Sequence, residues 1–112
     1  HYRQILEAAG YRILEARYGG EALLLCLRHE GPIHALLADA ALPQMSGWEL
    51  AEQAVGLRPD LKVLLLGTSL DRSDTPQDVP AVWLSRPVSR ETLVGKLREL
   101  FSIGNQADFS RR

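Results

Sequence analysis

The chain has 112 residues, 46% of them apolar and 24% charged, with a net charge of −1. That length suits one domain around one core, and the composition excludes a disordered chain or a basic nucleic-acid binder. No apolar run approaches the roughly 20 residues of a membrane span, and the lone Cys26 cannot form an internal disulfide, so a cytoplasmic protein without membrane contact is expected.

The chain opens inside a helical pattern, with Ile5, Leu6 and Ala9 on one face and Gly10 as a C-terminal stop. Tyr11-Arg12-Ile13-Leu14-Glu15-Ala16 alternates and predicts a strand near a sheet edge. Gly19-Gly20 breaks the chain before an apolar stretch from Ala22 to Leu27. Its continuation to Glu30 and the stop at Gly31-Pro32 predict a helix. Leu36-Leu37-Ala38-Asp39 is a short continuous apolar run ending in a carboxylate, the pattern of a strand buried on both faces of a parallel sheet. A loop with Pro43 follows. Ser46, with Glu49 three residues on, then forms a capping-box pattern that opens a helix to about Leu57.

Arg58-Pro59-Asp60 ends that helix, and Lys62 to Leu66 predicts a second buried strand that breaks at Gly67. From Thr68 to Pro80 the composition turns polar, and Pro76 limits expectation to a single helical turn or an irregular segment. Ala81 to Ser85 predicts a third buried strand. Arg86-Pro87 follows, then a helix capped by Ser89 with Leu93, Leu97, Leu100 and Phe101 as its apolar face. Residues 1–101 are thus expected to form the domain, and 102–112 a polar tail or linker. Alternating strands and helices predict an α/β fold, a doubly wound parallel sheet with helices on both faces.

Ligands of such sheets gather at the carboxyl ends of the strands. Those ends carry Asp39, then Gly67-Thr68-Ser69, then Ser85-Arg86-Pro87. A carboxylate, hydroxyls and a cation at one edge suit a phosphoryl group, with Arg86 offsetting charge on its oxygens. The plain alternative is an aspartate that caps its loop. His1, His29 and His34 have no metal-ligand spacing.

The chain resembles the receiver domain of two-component response regulators. The resemblance runs from His1 to Phe101. It rests on Asp39 with Pro43 and Ser46-Gly47 downstream, on Arg58-Pro59-Asp60-Leu61-Lys62-Val63, and on Trp83 three residues before Arg86-Pro87. It implies a flavodoxin-like sheet in the order 2-1-3-4-5, and a signalling domain rather than an enzyme. It further implies Asp39 as phosphoacceptor from a histidine kinase or phosphotransfer protein, Mg²⁺ held by Asp39 and the Ala41 backbone carbonyl, and Trp83 as the switch aromatic.

The sequence departs from the family in four ways. The first strand is absent, and with it the acidic pair that helps hold Mg²⁺, so weak or absent metal binding is expected. Gly67 stands at the hydroxyl position, leaving Thr68 one residue later as the nearest hydroxyl, and Arg86 stands where the family has Lys. Two functions stay open: a phosphorelay receiver regulating an attached or partner output, and a degenerate receiver acting as a phosphorylation-independent interaction module. The missing strand is expected to precede His1 in the native protein, with direct pairing of its neighbours or a strand from a second copy, a homodimer, as the other repairs.

Overall fold

The computed structural model describes residues 2–110, so His1 and Arg111-Arg112 lie outside the described residues. Its elements are α1 (Tyr2–Ala8), α2 (Gly19–Arg28), β1 (Ala35–Asp39), α3 (Gly47–Leu57), β2 (Lys62–Gly67), α4 (Ser69–Asp74), β3 (Val82–Ser85) and α5 (Arg90–Ser110). Two compact units result, one of residues 14–86 and one of the flanking segments through Ile13 and from Pro87.

The unit of residues 14–86 contains a parallel sheet in the order β1-β2-β3. Asp39 pairs with Leu66 in register, Leu65 with Trp83, and Gly67 with Ser85, so three strand ends reach the same edge. The middle strand carries the burial: Leu64, Leu65 and Leu66 are each at most 1% exposed. On one face Val63 and Leu65 pack with Cys26 of α2, Ala51 and Ala54 of α3, and Leu61. The small alanines let α3 approach the strands closely, and each fully buried leucine contributes roughly 1.5–3 kcal/mol by leaving water. Burial pushes the Cys26 thiol above its usual range, against the opposing pull of the Arg58 charge.

The helix ends follow local chemistry. Ser46 and Glu49 close the expected capping box, with the Glu49 N–H donating to Ser46 Oγ at 3.2 Å. The Arg17 N–H donates to Glu21 Oε1 at 2.8 Å at the start of α2, and this bond, with the Arg17 charge, holds the Glu21 carboxyl below its usual range. Arg58 is stapled to the other end of α2. Its Nε donates to the Cys26 carbonyl at 2.7 Å, Nη1 to the Gly31 carbonyl at 2.7 Å, and Nη2 to the His29 carbonyl at 2.5 Å.

In the other unit, α1 ends in a Schellman turn. Gly10 adopts φ +99°, its N–H donates to the Glu7 carbonyl at 3.0 Å, and the Tyr11 N–H donates to the Leu6 carbonyl at 3.1 Å. Tyr11 and Phe101 of α5 meet with ring centroids 5.8 Å apart. Ser89 opens α5, its Oγ accepting the Thr92 N–H at 3.0 Å.

Four expectations are corrected. Tyr11–Ala16 forms no strand; Leu14 is 48% exposed. Alternation alone does not make a strand, because a ladder needs a neighbour to pair with, and this segment joins no sheet among the described residues. For the same reason β1 is an edge strand of this sheet and half-buried rather than buried on both faces. Residues 69–74 form a regular helix despite Pro76, because the proline falls after its end and Thr68 with Asp71 supplies a second capping box. Finally, α5 continues to Ser110, through most of the stretch read as a tail.

Candidate functional site at the carboxyl edge of the sheet

Asp39 is the last residue of β1, and its loop is built to hold it at the rim. The Ala40 N–H donates to the Leu66 carbonyl at 2.8 Å, and the Gly47 N–H returns to the Ala40 carbonyl at 2.8 Å. Between them Ala41 bridges to Ser46, and Gln44 takes a left-handed backbone with φ +72°. Gly47 is required by this return: a Cβ there would lie 2.8 Å from Ala40 Cα and run into the Asp39 carbonyl oxygen.

The Arg86 N–H donates to the Gly67 carbonyl at 2.9 Å, which sets the chain after β3 toward β1. Its guanidinium Nη2 meets Asp39 Oδ1 in an ion pair, with the two side chains 38% and 49% exposed. The expected union of Asp39 and Arg86 is therefore present. In so wet a setting the pair is worth at most about 1 kcal/mol, so it orients the two groups more than it stabilises the fold.

Thr68 is committed elsewhere. Its Oγ1 donates to Asp71 Oδ2 at 3.1 Å and accepts the Asp71 N–H at 3.3 Å, capping α4. Trp83 occupies the space beside Gly67. A Cβ on Gly67 would lie 2.8 Å from Trp83 Cη2 and 2.8 Å from Asp71 Oδ2. The Arg72 guanidinium sits 5.3 Å from the Trp83 ring centroid, and the indole Nε1 is buried with no hydrogen-bond partner. The sequence reading missed both the Arg72–Trp83 stack and the Asp71 carboxylate below Gly67; only the Thr68–Asp71 spacing signalled either.

These contacts make Gly67→Thr an overpacking substitution. It is expected to destabilise the fold by about 1–3 kcal/mol and to push Trp83 outward, shifting its emission to the red in a Trp48→Phe background. Unchanged emission and stability would show that the space is not filled by Trp83.

The residues present do not fit a Mg²⁺ site. Mg²⁺ needs near-octahedral oxygen ligands, commonly from carboxylates. Asp39 faces a guanidinium instead, and no cluster of three His, Cys, Asp or Glu side chains occurs among the described residues. Ala41, whose carbonyl the resemblance assigned to the metal, lies in the same loop and bridges to Ser46.

A flavodoxin-like parallel sheet with a carboxylate and a cation paired at its carboxyl edge is the frame of a CheY-like receiver domain. No family model matches the chain. It is 33% identical over 100 residues to the response regulator receiver protein CpdR of Brucella abortus (strain 2308), covering 85% of this chain and 80% of that protein. Among solved structures it is similar to the receiver domain from the hybrid histidine kinase CckA, at 26% identity and a TM-score of 0.73, covering 87% of this chain and 82% of that one. It is also similar to a CheY-like response regulator receiver domain protein from Methanospirillum hungatei JF-1, at 30% identity and a TM-score of 0.74, covering 93% and 85% of the two chains. The chain belongs to the response regulator receiver family. No helix among the described residues is long and apolar enough to cross a membrane.

Proposed function

We propose that Asp39 accepts a phosphoryl group from the phosphohistidine of a histidine kinase or phosphotransfer protein. The observation that carries this reading is the Asp39–Arg86 pair at the exposed rim of the sheet. One Asp39 carboxylate oxygen attacks phosphorus opposite the histidine nitrogen. The O–P bond forms as the N–P bond breaks, and the imidazole nitrogen keeps that bond's electron pair and takes a proton. Negative charge then moves from the carboxylate to the phosphoryl oxygens. The Arg86 guanidinium follows it, since its planar fork bonds such oxygens in pairs. Without a shielding metal, the carboxylate meets a dianion at a cost of about 1 kcal/mol per charge pair even in water, and transfer is expected to be slow.

A second reading is supported by one observation. Trp83 already fills the space beside Gly67 where the family places a hydroxyl, so phosphate at Asp39 has no side chain there to pull and no room to open for the aromatic. On this reading the domain binds its partner whether or not Asp39 is modified. Partner affinity compared for the wild type and Asp39→Asn separates the two. Loss in the variant supports phosphorylation-dependent signalling, and equal affinity supports the interaction module. Asp39→Asn itself is expected to change stability by less than about 1 kcal/mol, because an ion pair this exposed contributes little.

A further inference from the structure

The loop that carries Asp39 is anchored to α2 by a thioether. Met45, the one methionine of the chain, lays its side chain against Gly19, the first residue of α2. A Cβ on Gly19 would run into Met45 Sδ and lie 3.0 Å from its Cγ. Gly19 is buried there, and Met45 is half-buried at the boundary with solvent. The backbone leading to this anchor is strained. The Met45 N–H donates to the Pro43 carbonyl at 2.9 Å, closing a three-residue turn around Gln44 at φ +72°. Such turns are rare, and a residue other than glycine keeps this backbone only where its surroundings hold it. The Met45 contact on α2 is such a hold. Two residues on, Gly47 packs on the Asp39 carbonyl oxygen, so the anchor, the turn and Asp39 are linked by direct contacts.

We propose that Met45 is an oxidation site through which hydrogen peroxide sets the position of the Asp39 loop. A lone pair of Sδ attacks one peroxide oxygen, and the S–O bond forms as the O–O bond breaks. The other oxygen takes the proton of the transferred one and leaves as water. Sulfur is thereby oxidised by two electrons and the peroxide reduced by two. The sulfoxide is polar and bulkier than the thioether, and an apolar seat on Gly19 no longer suits it. Met45 then turns to solvent, and Gln44 is released from its left-handed backbone. Reduction by a methionine sulfoxide reductase restores the contact. Cys26, the other sulfur of the chain, is only 6% exposed, and its burial disfavours the reactive thiolate, so it competes poorly for the oxidant. The device acts on the loop itself and does not require that Asp39 accept phosphate.

Incubation with hydrogen peroxide, followed by intact mass and backbone amide NMR, tests the proposal. The wild type is expected to gain one oxygen atom, which dithiothreitol leaves in place and methionine sulfoxide reductase removes. With it the Gly19 and Asp39 amides shift, and the melting temperature falls by about 5 °C. Met45→Leu keeps the apolar contact and is expected to show neither the stable oxygen nor the shifts. Gly19→Ala dislodges Met45 by steric contact alone. It is expected to shift the Asp39 amide before any peroxide is added, and to speed oxidation severalfold. A Met45 left intact by peroxide that oxidises free methionine would overturn the proposal. So would an oxidised protein whose Asp39 amide has not moved, or a Gly19→Ala variant oxidised no faster than the wild type.

Discussion

Replacing Arg58 with alanine is expected to lower stability by about 3 kcal/mol, with a fall in melting temperature on the order of 10–20 °C. Three carbonyls at and beyond the last turn of α2, those of Cys26, His29 and Gly31, all accept from this one guanidinium. Helix ends leave their last carbonyls without partners inside the helix. Around Cys26 the site is partly closed to water, so the orphaned oxygens would be poorly rehydrated. Hydrogen bonds to charged donors are worth about 1.5–3 kcal/mol each, and partial exposure of the three acceptors reduces their sum. Arg58→Lys should recover only part of the loss, because a single ammonium cannot reach three divergent carbonyls as the planar fork does. Thermal unfolding followed by circular dichroism checks both variants. A shift of only a few degrees for Arg58→Ala would show that water replaces the guanidinium and that α2 does not depend on this staple.

The second large effect is expected at Gly47. Gly47→Ala places a methyl against the Asp39 carbonyl oxygen and 2.8 Å from Ala40 Cα, both of them backbone atoms that cannot swing aside. Relief requires the start of α3 to move away from the end of β1, which breaks the Gly47 N–H bond to the Ala40 carbonyl. A cost of about 2–4 kcal/mol is expected, in the range of severe overpacking and backbone disruption. Because the displaced backbone is that of Asp39, the Asp39–Arg86 pair should loosen with it. Denaturant unfolding measures the stability, and the Asp39 backbone amide shift reports the displacement. A variant as stable as the wild type, with an unmoved Asp39 amide, would show that the loop has slack that the contact distances deny.

Much of the carboxyl edge was legible in the sequence because its determinants are local. Asp39 closes an apolar run, Ser46 and Glu49 are three residues apart, and the loop between is short. Arg86 could be brought to Asp39 because parallel strands align their ends, and that inference held. The failures have a common cause. Tyr11–Ala16 alternates like a strand, yet its conformation is decided by a neighbour that the pattern of six residues cannot supply. The role of Arg58 spans 27 to 32 residues to its acceptors, beyond any local pattern. At α4 a local signal was present and outweighed: Thr68 and Asp71 form a capping box, while Pro76 drew the reading toward irregular structure although it lies beyond the helix. The fit of Trp83 against Gly67 depends on two strands in register, so only the fold brings it out.

Intact-mass measurement during incubation with a phosphorylated histidine donor tests most directly whether Asp39 is the phosphoacceptor. The wild type is expected to gain one phosphoryl group slowly, in a form released by hydroxylamine as an acyl phosphate should be. Asp39→Asn is expected to gain none, and Arg86→Ala to gain it more slowly still. A wild type that never gains the group, or an Asp39→Asn variant that gains it as fast as the wild type, would contradict the claim.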